Sequence, residues 1–250
     1  MSEEPERNVG EGTTAPIEID DPETRAAAIV DRLGDLYWRN RYGGQAAVRC
    51  LVRTILSQNT SDAASQPAFD ALVDRYGDGD LVDTLADADT DRLSATIESA
   101  GLHNQKAERI QTIATRVGEE YGSGAAFDRF VREKAVSTVR ERLLEFTGVG
   151  PKTADCVLLF AGGEDGVFPV DTHVHRIARR LGIAPPDADH ATVRDRLESS
   201  VPAAACGFGH TAMIQFGREY CSARDPACLD DPESCPLLDL CDRVGIEATD

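Results

Sequence analysis

Lysine is scarce in this 250-residue chain: of its 26 basic residues only Lys106, Lys134 and Lys152 are lysines, and the rest are arginines. No apolar run approaches the roughly 18 to 20 residues that a membrane span needs. The first twenty residues are acidic and polar, unlike a signal peptide or an anchor. Sustained apolar/polar alternation is missing, and so is any internal repeat of fixed period. These absences argue against a membrane protein, a sheet protein and a solenoid. They leave an all-α chain, expected to be a cytoplasmic monomer with no membrane partner.

What the chain has in excess is acid. Forty-four Asp and Glu against 26 Lys and Arg give a net charge of −18 and a pI near 4.6. That balance alone argues against a nucleic-acid partner, because most such proteins neutralise phosphates with basic patches. Combined with the shortage of lysine, however, it reads as halophilic adaptation. At about 1 M salt the Debye length is only about 3 Å, so surface charge neither repels nor attracts DNA strongly. The charge therefore describes the solvent rather than the partner.

The seven cysteines fall into two groups. Cys50, Cys156 and Cys206 sit in apolar helical stretches and read as core thiols. Cys221, Cys228, Cys235 and Cys241 crowd into the last thirty residues, and in a cytoplasmic chain they read as a metal site before a pair of disulfides. Their spacers of six, six and five residues contain no close Cys-x2-Cys pair of the zinc-ribbon kind. Widely spaced single cysteines suit a [4Fe–4S] cluster, with one ligand for each iron.

Helical periodicity divides the rest. Residues 1–20 carry no hydrophobic pattern and are expected to be a disordered acidic tail. Asp21-Pro22 predicts a helix start whose apolar stripe runs through Ile29, Val30, Leu33 and Leu36. Further helices are predicted around Ala47–Ile55, from Asp62, around Leu81–Leu85, over Leu93–Ala100, and from Asn104 to Tyr121. Gly122-Ser123-Gly124 reads as a flexible break. Beyond it, helices are predicted through Val139–Phe146, over Lys152–Phe160, and near 172–181, 191–199 and 207–220.

The segment Phe146-Thr147-Gly148-Val149-Gly150-Pro151-Lys152-Thr153 holds two glycines around one apolar residue, between two short helices. Backbone N–H groups can converge outward there and hold a phosphate without basic side chains, at any ionic strength. An ordinary helix corner with a glycine C-cap fits the same residues. Lys152 and Asp171, nineteen residues apart, favour the first reading. A lysine in the first turn of a helix meets the positive dipole end, which disfavours its charge and favours an attacking amine. A carboxylate such as Asp171 can stabilise the positive charge that builds on a sugar as its base departs. Asp171 could also simply cap the helix that follows.

Gly148-Val149-Gly150-Pro151-Lys152-Thr153-Ala154, followed by Val170-Asp171-Thr172-His173, resembles the helix-hairpin-helix DNA glycosylases of the endonuclease III type. The likeness extends from Leu51 to Cys241 and includes Ile55 to Asp62, Gly101-Leu102-His103-Asn104-Gln105-Lys106-Ala107 and Phe216-Gly217-Arg218. The resemblance implies a bifunctional glycosylase and abasic-site lyase acting on double-stranded DNA with damaged bases or abasic sites. In it Lys152 attacks C1′ of a flipped-out nucleotide and proceeds through a Schiff base, with Asp171 as its partner. Oxidised pyrimidines are the implied substrates. Another lesion in the same fold, or a non-catalytic iron–sulfur DNA-binding protein, are the alternatives. The related adenine glycosylases usually lack the lysine that Lys152 matches.

A flipped base leaves a gap that some side chain must fill. A glutamine does so in the family, and spacing from Asp62 puts Asn59 at that position, with Gln58 adjacent. Gly148, Val149, Gly150, Thr153 and His173 are the other expected DNA contacts. The family's cluster cysteines share the outer spacers of six and five but have two residues in the middle, where this chain has Leu229 to Ser234. The implied architecture has two lobes: a six-helix lobe over residues 40–163 carrying the hairpin, and a cluster lobe joining 21–39 to 164–250. Lys152 and Asp171 are expected at the mouth of the cleft between them.

Overall fold

The computed structural model describes residues 12–246, and almost all of its regular structure is helical. The chain forms two compact units, one made of residues up to Tyr42 together with those from Asp165 onward, the other of Gly43–Glu164.

The first unit begins with a short antiparallel pair, β1 (Thr13–Thr14) and β2 (Asn40–Arg41), in register Thr13 to Arg41. Residues 12–20, expected to be disordered, are therefore partly held, and Ile17 and Ile19 are buried. Two isolated isoleucines make no periodic pattern, so the partner strand and the core they meet could not be read locally. The remainder of the expected tail, residues 1–11, lies outside the described residues. Helix α1 (Arg25–Leu33) starts three residues after the predicted Asp21-Pro22, because the Thr24 hydroxyl takes the cap by accepting from Ala27 N. Asp21 instead sits in the left-handed region with φ 42°.

Ile29, Val30 and Leu33 of α1 are fully buried in one core with residues of α10 (Thr172–Arg180), α11 (His190–Ser200) and α12 (Cys206–Glu219). Burying each such side chain contributes roughly 1.5–3 kcal/mol. The two segments of this unit are therefore joined by packing despite their separation in sequence. Tyr37 reaches the same core and donates its hydroxyl to Glu219.

The second unit packs around α2 (Ala47–Ser57), whose Leu51, Ile55 and Leu56 have no exposure. Around it lie α3 (Asp62–Tyr76), α4 (Leu81–Ala86), α5 (Thr90–Thr96), α6 (His103–Tyr121), α7 (Gly124–Glu133), α8 (Val136–Leu144) and α9 (Pro151–Val157). Helix α9 continues into a π-helical turn, Leu158–Gly162. Helix α2 lacks a side-chain cap of its own, and Asp128 on α7 supplies one by accepting from Ala47 N at 2.7 Å. The expected break holds, with Gly122 ending α6 in the left-handed conformation, and Ser123 then accepts from Ala126 N and caps α7, for which no helix was expected.

Part of the acid excess serves as caps. Asp80, Asp89, Asp171 and Asp189 each stand at a helix N-cap and accept a backbone N–H. There a carboxylate meets both the orphan donors and the dipole.

Candidate active site

The hairpin between α8 and α9 is a turn in which Val149 N donates to Phe146 O at 3.0 Å. Val149 is buried at 6% exposure. Its amide and side chain both face inward, so the expected outward contact at Val149 is a plug into the core. Gly148 has φ 85°, so the backbone requires glycine, and a Cβ there would also lie 2.7 Å from Arg109 Cδ and push that flexible side chain aside. Gly150 differs. Its φ of −98° suits any residue, yet a Cβ would meet nothing within 4 Å. The fold does not demand a glycine there, whereas an approaching ligand would.

Pro151 and Lys152 open α9, with Lys152 half-buried in its first turn. Beneath it lie the buried thiols Cys50 and Cys156. Burial pushes the Cys50 thiol up to about 12, a rise that the neighbouring positive charge of Lys152 partly offsets. One turn further on, Asp155 is 1% exposed and accepts from Arg140 Nε at 2.7 Å, which ties α9 to α8.

Gln58, just past α2, donates from Nε2 to Gly148 O at 3.0 Å and to Thr153 Oγ1 at 3.3 Å. Thr153 is itself buried. These two expected DNA contacts are thus braces of the hairpin. Asn59 is exposed and left-handed, with φ 52°. Of the two adjacent candidates for filling a gap in the duplex, Gln58 is engaged within the unit and Asn59 faces solvent.

Two residues that the sequence analysis did not assign stand beside this loop. Leu102, 58% exposed, takes the left-handed conformation (φ 48°) at the start of α6. A bulky residue held so, where a Ser, Thr or Asp cap is usual, is a strained position of the kind found at binding sites. Lys106 is 1% exposed and its Nζ bonds Leu56 O, Thr60 Oγ1 and Ala100 O. The signal for Leu102 was the uncapped Gly101-Leu102 start. For Lys106 no local signal exists, because its acceptors come from other elements.

Asp171 belongs to the other unit and caps α10, its Oδ1 accepting from Val174 N at 2.8 Å. His173 follows in the first turn, its Nδ1 accepting from Arg176 Nη2 at 3.2 Å. His175 and His190 stack with ring centroids 4.0 Å apart. Burial holds His190 below the ordinary imidazole value, and His175 adds to this while Asp171 opposes it.

The four late cysteines are free thiols in this unit, Cys221 and Cys228 buried and Cys235 and Cys241 half-buried. Burial pushes the Cys235 and Cys241 thiols up, and each also feels negative charge on the other late cysteines. Arg180 Nη1 donates to Cys221 Sγ at 3.3 Å, and Arg243 N donates to Cys241 Sγ at 3.3 Å. Among the described residues no group of three or more His, Cys, Asp or Glu is placed so that it could hold a metal ion. In donor chemistry the set nevertheless suits a thiolate-held cluster: four cysteine sulfurs outside any disulfide and within electrostatic range of one another, with N–H donors on two of them. The longer middle spacer is an exposed turn closed on itself, with Asp231 accepting from Glu233 N and Ser234 donating to Asp231 O.

Residues 52–203 match the family described as HhH-GPD superfamily base excision DNA repair protein. The chain belongs to that superfamily. Within it the chain is of the endonuclease III type: it is 34% identical over 194 residues to endonuclease III of Thermotoga maritima, covering 78% of this chain and 82% of the relative. Among solved structures, a trapped endonuclease III–DNA covalent intermediate with an estranged adenine superposes with a TM-score of 0.67 at 29% identity. That match covers 81% of this chain and 86% of the other. A thermostable thymine-DNA glycosylase superposes at 0.70 with 20% identity, over 88% and 96% of the two chains, and shares the fold. The protein is an endonuclease III-like base excision repair glycosylase. Among the described residues no helix is long and apolar enough to cross a membrane.

Proposed function

We propose that this glycosylase removes oxidised pyrimidines from double-stranded DNA and then cleaves the strand at the abasic site. Oxidised pyrimidines are the substrates that the likeness to endonuclease III implies; the observation that carries the strand cleavage is Lys152 in the first turn of α9, directly after a hairpin whose Gly150 has no structural need to be glycine. The Gly150 side of the hairpin receives a phosphate on backbone N–H groups, which places the sugar chain against α9. Lys152 Nζ, as the neutral amine, attacks C1′, and the bond from C1′ to the base breaks with its electron pair leaving on the base, which takes up a proton. The amine then loses its proton, the sugar ring opens, and a Schiff base forms between Nζ and C1′. Loss of a C2′ proton expels the 3′ phosphate, and hydrolysis of the imine frees Lys152. Asp171 stabilises the positive charge that develops on the sugar, using the oxygen not taken by Val174 N.

Asn59 and Leu102 enter the duplex where the base has left. Asn59 offers amide hydrogen bonds to the unpaired partner base, and Leu102 acts as an apolar wedge between base steps. His173, in the first turn of α10, is a further DNA contact from the other unit. Cys221, Cys228, Cys235 and Cys241 would hold a [4Fe–4S] cluster, and through it would tie the C-terminal loop to the core of the first unit.

The acid excess is read as adaptation to molar salt. Arginines pair with carboxylates within the fold, as in Arg39–Asp31 at 2.6 Å and in the Arg116, Arg142, Glu120 and Glu145 network. The test of substrate class is excision from defined duplexes carrying single lesions, in a potassium chloride series. Preferential release of oxidised pyrimidines with strand scission is expected. Release of only an oxidised purine or a mispaired thymine would contradict it.

A further inference from the structure

Only three lysines survive in a chain that otherwise uses arginine, and they occupy different settings. Lys134 is exposed, Lys152 opens α9, and Lys106 is buried. Burial holds the Lys106 ammonium below the ordinary lysine value, and nearby Arg109 adds to this. A charged group in such a place needs full compensation. Lys106 has it without any carboxylate. Its three acceptors lie at 2.8 Å (Leu56 O), 2.8 Å (Thr60 Oγ1) and 2.9 Å (Ala100 O), one for each N–H of an ammonium. Two of these are carbonyls at or near helix ends, Leu56 in the last turn of α2 and Ala100 closing a short 3-10 turn, where cations are favoured. All three converge on a single nitrogen. A planar guanidinium cannot donate in three tetrahedral directions from one atom, which accounts for lysine where this chain prefers arginine.

The tripod joins two separate segments. One is the turn after α2 that carries Gln58 and Asn59; the other is the Ala100–Leu102 turn before α6. Thr60 also donates to Ala100 O and so closes the triangle. Both exposed left-handed residues of this region, Asn59 and Leu102, lie within two residues of a Lys106 acceptor. We propose that Lys106 is a positioning residue that holds the Asn59 turn and the Leu102 turn in fixed register, so that both side chains enter the duplex together when a base is displaced. The proposal rests on the DNA-repair reading above, and it assigns to Lys106 no contact with DNA.

The test uses the full chain in three forms, wild type, Lys106→Arg and Lys106→Met, on a duplex with 2-aminopurine opposite a tetrahydrofuran abasic analogue. Wild type should brighten the 2-aminopurine as the partner base unstacks. Both variants should lose that signal and bind the duplex about ten-fold more weakly, the effect of losing a bond to a charged group. Borohydride trapping on a single-stranded abasic oligonucleotide, where no base need be displaced, should remain within about two-fold of wild type. Rescue by Lys106→Arg would overturn the tripod argument, because charge alone would then suffice. Variants that fold and match wild type in both assays would overturn the proposal while leaving the repair reading intact. Variants that all fail to fold, judged by circular dichroism, would overturn it in favour of a plain stability role. A wild-type protein that neither traps nor brightens would defeat the repair reading, and this proposal with it.

Discussion

Gln58 donates its side-chain amide to Gly148 O at 3.0 Å and thereby fastens the end of α2 to the hairpin before α9. Its neighbour Asn59 points away, exposed and left-handed. The two residues should therefore fail in different ways. Gln58→Ala should lower stability by about 1 kcal/mol through the lost bonds and weaken DNA binding with every duplex. Asn59→Gly should keep or slightly raise stability, since glycine accepts φ 52° freely, and should weaken binding only where a base is displaced. Urea denaturation and titrations with intact and abasic duplexes check both. Equal losses on both duplexes for Asn59→Gly would contradict the assignment.

The two hairpin glycines are predicted to separate in the same manner. Gly148→Ala places a Cβ 2.7 Å from Arg109 at φ 85° and should cost more than about 1 kcal/mol of stability. Gly150→Ala meets nothing within 4 Å and should fold normally, but should reduce DNA affinity by blocking the phosphate. Because the grip uses backbone amides and exposed arginines such as Arg116 and Arg142 are engaged by Glu120 and Glu145, log K against log salt should be shallow in wild type. Thermal melting and a salt series check the pair; a Gly150→Ala protein with wild-type affinity would count against phosphate binding there.

Much of the fold was legible because long amphipathic helices carry their own period. Helices α2, α6, α10, α11 and α12 emerge within a residue or two of their expected bounds. Helix α7 was not expected: the break at Gly122-Ser123-Gly124 holds, but the helix after it buries only Phe127 and Val131, too short a stripe to announce itself. The places of Lys152 at the start of α9 and of Asp171 at the cap of α10 were readable locally, but the division of labour between Gln58 and Asn59 was not. It depends on Gly148 O, ninety residues away. Lys106 was invisible for the same reason: nothing local distinguishes a buried tripod from a solvated lysine.

Alkaline stability gives a prediction with a definite sign. Burial pushes both Cys50 and Cys206 from the ordinary thiol value of 9.0 up to about 12. The folded protein then keeps protons that the unfolded chain releases, so their stabilisation is complete below pH 9 and is lost as pH rises toward 12. Each thiol contributes at most about 1.4 kcal/mol per pH unit in that window. Urea midpoints between pH 8 and 11 should fall more steeply for wild type than for a Cys50→Ala, Cys206→Ala double variant. Parallel curves would contradict the assignment.

The central claim is that Lys152 is the nucleophile, and borohydride trapping tests it most directly. Reduction during turnover should join wild-type protein covalently to abasic duplex DNA, with the adduct mapping by peptide mass to Lys152, and Lys152→Ala should give none. Undiminished trapping in Lys152→Ala, or no adduct with the wild-type protein, would contradict the account.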